Sequence, residues 1–333
     1  MIVMQKSLIL TPSCWCNRSL GFAMGLLLAQ SGSYAGYQLV PNWLKPPPGM
    51  ATIGNSHGEI AVDSKGNIYV STEGDKPGIQ VYTPDGNYSH NISGLPGTLH
   101  GFVIQNDILY ATVLGEQKVI KVQLDGKILL EIPKESFPEE KRRKADGSPR
   151  NLALTSVDVA PNGDLYVVDG YGEDWIFVFD QTGKYKTVFG GRVAPWNLKN
   201  CHKIFIDPRY EQPRILCCDR INLRLLHLAL DGSIIGEYAT GLRRPSSAAF
   251  HGDLVAIAEI AGRISVLDKT GKTVATLGEN DTAGETNTNG VDPARWREGL
   301  CTGPHGITFD AQGNILMSEW NKWGRVLRWN LVK

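Results

Sequence analysis

From about residue 50 onward, apolar residues do not recur at helical spacing. Short alternating runs of Val, Ile, Leu, Tyr and Phe sit between Gly, Asn, Asp and Pro, a pattern that predicts strands joined by hairpins. One unit reads Glu59-Ile-Ala-Val-Asp63, a turn at Gly66, Asn67-Ile-Tyr-Val-Ser71, a loop, Ile79-Gln-Val-Tyr82 and a second turn at Pro84-Asp-Gly86. That second turn returns at Gly126, Gly183, Gly232 and Gly271, at intervals of 40, 57, 49 and 39 residues. Repeats of this length with three or four strands each predict an all-β, six-bladed β-propeller, with blades beginning near Glu59, Gly101, Val157, Lys203, Ser247 and Gly306. The sixth repeat lacks an outer strand, and residues 37–43 are expected to supply it, which removes the exposed sheet edge. Residues 133–150 and 279–300 read as surface insertions, and the charge run from Glu139 to Lys144 as a solvated face.

Composition narrows the function. With 34 basic and 34 acidic side chains in 333 residues there is no net field for gripping phosphate, which argues against nucleic acid or an anionic membrane as partner. Glycine, 37 residues, exceeds the usual ~7% and agrees with a turn-rich chain. Length alone suggests two domains, but all-β architectures often exceed that size as one unit, so residues 36–333 are expected to form a single propeller. Upstream, Lys6 and Arg18 precede the apolar run Leu20–Ala29, followed by Ser33 and Ala35. Ten apolar residues are too few to span a bilayer, so residues 1–35 read as a secretory signal and the protein as secreted or periplasmic; a short anchor or a misplaced start is the alternative.

Candidate chemistry centres on histidine. His100, His202 and His305 each stand immediately before the first strand of a blade, in blades two, four and six, at spacings of 102 and 103 residues. Alternate blades of a six-fold ring lie 120° apart, so equivalent inner positions converge on the axis. Three neutral imidazoles there make a tri-histidine site for zinc, with copper or iron also suited to such donors. Taken singly, each histidine reads as a turn or core residue. His57 is offset by one residue and reads as a fourth ligand, an acid/base group or a turn residue, whereas His90, His227 and His251 read as structural. A second repeated position, after the second strand, carries Glu73, Asp169, Asp219, Glu259 and Glu319, suited either to catalysis or to ion pairs with Arg220, Arg263 or Arg325. Four cysteines follow the signal (Cys201, Cys217, Cys218 and Cys301), and the sequence does not choose among ligands, disulfides and buried thiols.

These residues together resemble the NHL-type six-bladed propellers and, within them, the peptidyl-α-hydroxyglycine amidating lyases. The likeness spans about residues 95–333 and is strongest in Ser156-Val-Asp-Val-Ala-Pro-Asn-Gly-Asp-Leu-Tyr-Val-Val-Asp-Gly-Tyr171. It implies Tyr171 as proton-abstracting base, Arg220 as an active-site arginine, and His100, His202 and His305 as zinc ligands. The implied activity is metal-dependent cleavage of a C–N bond in a carbinolamide, acting on a small or peptide-derived substrate. Three positions depart from the family pattern: Glu73 replaces an arginine, Gly306 a calcium-binding aspartate, and Gly172 a disulfide cysteine, so the resemblance does not carry calcium. Competing readings are a metal-dependent, lactonase-like hydrolase and a non-enzymatic propeller that binds a protein or glycan.

Overall fold

The computed structural model describes residues 36–73 and 77–332; the expected signal over 1–35, with Cys14 and Cys16, lies outside the described residues. Six four-stranded antiparallel sheets form the six expected blades. Their inner strands are Ile60–Val62, Leu99–Gln105, Ser156–Val159, Cys201–Asp207, Pro245–His251 and Pro304–Phe309, within a few residues of the expected starts. These strands neighbour one another in chain order, and that of blade six packs back on that of blade one. The five second-turn glycines all adopt the left-handed backbone that only glycine takes without strain.

Ring closure is as expected but shorter. Tyr37–Leu39 pairs with Val326–Leu331, Tyr37 opposite Leu331 and Leu39 opposite Trp329. Val40 still donates to Arg328 O at 2.9 Å, but Pro41 has no N–H to give and Asn42 turns at φ 47°, so the strand stops short of residue 43. The insertion at 133–150 contains two 3-10 turns, Lys134–Ser136 and Glu139–Lys141, and that at 279–300 one, Pro293–Arg295. Within the charge run Glu139 pairs with Arg143 at 2.7 Å, both exposed. No helix among the described residues is long and apolar enough to cross a membrane.

The hydrophobic core is divided into six clusters, one at each interface between adjacent blades. Successive residues of a central strand serve opposite neighbours: Val168 packs toward blade four and Val167 toward blade two. Burial on both faces explains why such strands read as continuous apolar runs rather than strict alternation.

Blade four also buries a polar cluster. Asp207 accepts from Arg209 at 2.6 and 2.9 Å and faces His227 Nε2 at 3.1 Å. Burial pushes the Asp207 carboxyl up, but bonds from Arg209 and then His227 outweigh it and hold the group at about 2, below the ordinary 3.8. Its stabilising contribution is therefore complete above pH 3.8 and is lost as pH falls through about 2. Acid titration of unfolding free energy should show a slope in that window, and Asp207→Asn should flatten it. An unchanged slope would remove Asp207 as its source.

Candidate metal centre and active site

Each predicted histidine stands in a local bulge where its inner strand begins. The ladder register shifts between Leu99 and Phe102, between Cys201 and Ile204, and between Pro304 and Gly306. A bulge re-aims a side chain that regular pleating would send into an inter-blade core. The corresponding positions of blades one, three and five hold Gly58, Thr155 and Ser246, and the backbone carbonyls of these residues face the histidines. His100 Nδ1 meets Thr155 O at 2.8 Å, His202 Nδ1 meets Ser246 O at 2.7 Å, and His305 Nδ1 meets Gly58 O at 2.7 Å. A carbonyl only accepts, so each Nδ1 carries the proton and each Nε2 keeps a bare lone pair directed away from that carbonyl.

The three rings are buried, with centroids 5.0, 5.0 and 4.8 Å apart. Burial, foremost, holds all three imidazoles well below their ordinary pKa and hence neutral. Close approach of the blades depends on glycine: a Cβ on Gly101 would lie 2.2 Å from Thr155 O, and one on Gly306 2.5 Å from Glu59 Oε1.

His57, left open between three roles by its offset, joins this cluster. Its ring lies 5.0 Å from those of both His100 and His305, and ligand atoms of the three lie within 4.8 Å of one another. The group whose ligand atoms meet within that reach is thus His57, His100 and His305, whereas His202 adjoins it by its ring, 5.0 Å from that of His100 and 4.8 Å from that of His305. Burial, then the charges of Lys203 and Arg220, lowers His57 to about 4.

Tyr171 reaches the same point from blade three. Its hydroxyl lies 3.1 Å from His100 Nε2, 3.0 Å from His202 Nε2 and 3.3 Å from His57 Nε2. The tyrosine rides a tight loop between two obligatory glycines. A Cβ on Gly170 would lie 2.3 Å from Cys201 O, and one on Gly172 2.1 Å from an Asp169 oxygen. Gly172 is thus required by the loop in this chain.

A phenol has one proton, yet it faces the lone-pair nitrogens of both His100 and His202, while the buried His305 Nε2 has no hydrogen-bond partner. Such a donor-poor, nitrogen-rich point suits a Lewis-acidic cation, so the residues fit the expected metal. Arg220, buried, lies 6.0 Å from the Tyr171 ring and donates to Ser246 Oγ at 3.1 Å. Burial raises the Tyr171 phenol above its ordinary value, and the Arg220 charge acts against that rise.

Sequence reasoning did not identify the layer beneath. One residue further along the inner strands, Lys203 of blade four and Glu59 of blade one meet across the axis at 2.8 Å, both buried. Glu59 also accepts from Ser247 Oγ and Ile307 N, each at 2.9 Å, and Lys203 Nζ lies 3.3 Å from His305 O. Below them a cavity of about 230 Å3 is lined by Phe102, Phe205 and Phe250 together with the polar Gln105, Asp158 and Thr308. The only hint in sequence was a charged residue at a position where the other repeats carry Gly or Ser.

The repeated carboxylates resolve as structural clamps. Asp219 accepts from Lys199 N, Glu259 from Arg243 N, Glu319 from Thr302 N and Asp169 from Ala153 N, each tying a second strand to the segment entering the inner strand. Arg263 and Arg325 pair with Glu259 and Glu319 as expected, but Asp219 takes Arg224, which leaves Arg220 to the site. Asp169, pushed up to about 6 by burial, braces the Tyr171 loop through Glu173 N at 2.9 Å. Glu73 meets Asn55 Nδ2 at 2.8 Å rather than a histidine. Cys201 and Cys217 are disulfide-bonded across the first two strands of blade four, whereas Cys218 and Cys301 are free and buried.

No protein-family profile and no curated protein matches the sequence. Among solved structures, a streptogramin B lyase superposes with TM-score 0.58 at 15% identity, covering 89% of this chain and 98% of that one. Virginiamycin B lyase from Staphylococcus aureus gives 0.57 at 17% identity, covering 89% and 100%. A catalytically inactive histidine-to-alanine form of the Staphylococcus aureus enzyme with quinupristin gives 0.56 at 15% identity, again over 89% and 100%. At these identities the likeness shows the propeller fold.

Proposed function

We propose that this chain is an exported, metal-dependent lyase that breaks the C–N bond of a carbinolamide-type substrate such as an N-acyl-α-hydroxyglycine. The carrying observation is the set of three histidines whose Nδ1–H groups are each spent on a neighbouring blade's carbonyl, leaving three Nε2 lone pairs, those of His100 and His202 facing the Tyr171 hydroxyl and that of His305 unmatched. His100, His202 and His305 would hold zinc, with copper or iron as alternatives, and the metal would supply Lewis-acid stabilisation of the substrate's ionising hydroxyl. Tyr171 is placed to take the hydroxyl proton, as the amidating-lyase resemblance implies. As the oxygen's electrons form the carbonyl, the C–N bond breaks, and the departing amide nitrogen takes up the proton. Arg220 steadies the phenolate form of Tyr171 by charge and lies close enough to orient an anionic substrate. The solved neighbours are themselves lyases, and the inactive form of one differs by a histidine substitution.

Purified without chelator, the chain from Gly36 is expected to contain about one zinc, copper or iron, and His202→Ala should lose it while remaining folded. Elemental analysis beside circular dichroism checks both. No metal after reconstitution would sink the lyase mechanism and favour the binding-propeller reading. Metal without cleavage of hydroxyglycine compounds would favour metal-assisted hydrolysis, with lactones the next substrates to try.

A further inference from the structure

His57 is held differently from the other three histidines of the cluster. His100, His202 and His305 are each fixed through Nδ1 by a carbonyl of another blade. No such bond holds His57 among the described residues. Its half-buried ring lies at 20° to that of Tyr171 and 5.6 Å from that of Trp320, and its Nε2 faces the Tyr171 hydroxyl at 3.3 Å. A histidine that served its own turn would spend its nitrogens on nearby backbone, whereas this one turns a nitrogen to the axis. Blade one thus contributes Gly58 O, which orients His305, and, one residue earlier, an imidazole.

The four rings are not equivalent. His100 and His305 touch each other, with centroids 5.0 Å apart, and each also touches both His57 and His202, at 4.8 or 5.0 Å. His57 and His202 make no ring contact and stand on opposite sides of that pair. Five adjacent pairs and one opposed pair are the relation among four corners of an octahedron whose two vacant corners are neighbours. A tetrahedron would give only adjacent pairs, and a square two opposed ones. Tyr171 agrees with the octahedral pattern. Its hydroxyl is 3.0, 3.1 and 3.3 Å from Nε2 of His202, His100 and His57, while Nε2 of His305 is without a hydrogen-bond partner. A point beside three donors and out of reach of the fourth lies toward the vacant corner opposite His305.

We propose that His57 is a fourth metal ligand, so that the axis holds a six-coordinate divalent ion on four neutral imidazoles with two adjacent positions open, one of them against the Tyr171 hydroxyl. The ion is the one proposed above, and the centre depends on that metal reading but not on the reaction. Among metals that imidazole suits, iron(II) accepts such an arrangement, whereas zinc with four protein donors forms a closed tetrahedron. Two neighbouring open positions admit a ligand that chelates through two oxygens.

The test uses the purified chain reloaded with iron(II) under argon. X-ray absorption at the iron edge should count four imidazoles in the wild type and three in His57→Gly, and added imidazole should restore the fourth. Chelator competition should show His57→Gly binding iron(II) more than about 100-fold more weakly, beyond the loss expected from a group that only orients a ligand. His90→Ala, which removes an exposed histidine of an outer strand, should change neither reading. Melting temperatures of the metal-free proteins report the fold, and His57→Gln repeats the count should His57→Gly unfold. Acetohydroxamate, which needs two adjacent positions, should bind the loaded protein at least about tenfold more tightly than acetate. Three imidazoles in the wild type, an unchanged count in the His57 variants, an affinity loss within about 100-fold, or equal binding of the two probes would each overturn the four-histidine centre. Three imidazoles on a bound metal would leave the lyase reading standing. Four, with no cleavage of hydroxyglycine compounds, would sink that reading and leave the centre standing. No bound metal would overturn both.

Discussion

Tyr171→Phe is expected to lower turnover of an N-acyl-α-hydroxyglycine by about 10²–10⁴-fold, the usual worth of a positioned general base, with metal content and fold unchanged. The separation of effects follows from geometry. The three histidines are oriented through Nδ1 by the carbonyls of Thr155, Ser246 and Gly58, and none of those bonds involves the phenol. Removing the hydroxyl deletes, among the described residues, the O–H group that meets His100, His202 and His57 but leaves the rings in place. Steady-state kinetics beside elemental analysis decides the matter. Turnover within about threefold of wild type would reassign the proton transfer, and loss of metal would make Tyr171 a ligand rather than a base.

Glu59→Ala is expected to cost about 3–5 kcal/mol of stability, because it strands the Lys203 ammonium in the buried axis of the ring. Lys203→Met strands a carboxylate instead, but burial already pushes the Glu59 carboxyl up, so that variant can relax by protonation. Replacing both at once, Glu59→Ala with Lys203→Met, should recover much of the loss, since no charge is then left in the axis to desolvate. Denaturant unfolding of the four proteins in this cycle gives the coupling. Additive effects would mean that the pair does not act as a unit.

The fold was legible because propeller repeats announce themselves locally: glycines at fixed turns, short strands between them, and a last repeat lacking one strand. The tri-histidine cluster was legible for a related reason, since equal spacing by two blades converts directly into convergence on an axis. Other features depend on contacts between blades and leave no local signature. Glu59 and Lys203 are 144 residues apart, and nothing near either names the other. Asp219 is adjacent to Arg220 in sequence, yet the guanidinium that reaches it belongs to Arg224, because Arg224 stands opposite Asp219 on the neighbouring strand while Arg220 lies in the turn beyond it. His57 was ambiguous because its one-residue offset reads as a misfit in any alignment of repeats. In space that offset lifts its ring toward Tyr171, while Gly58 takes the position equivalent to the other histidines.

Closure of the ring by Tyr37–Leu39 against Val326–Leu331 bears on when the site comes into being. As the ribosome makes the chain, blades two to five can each pack on the blade before, but His305 emerges late and its Nδ1 partner, Gly58 O, lies 247 residues upstream. The first strand must wait unpaired until the final one is synthesised. The complete histidine cluster therefore exists only after translation has passed blade six, and any cation it takes up is captured by a finished ring, not by a nascent chain.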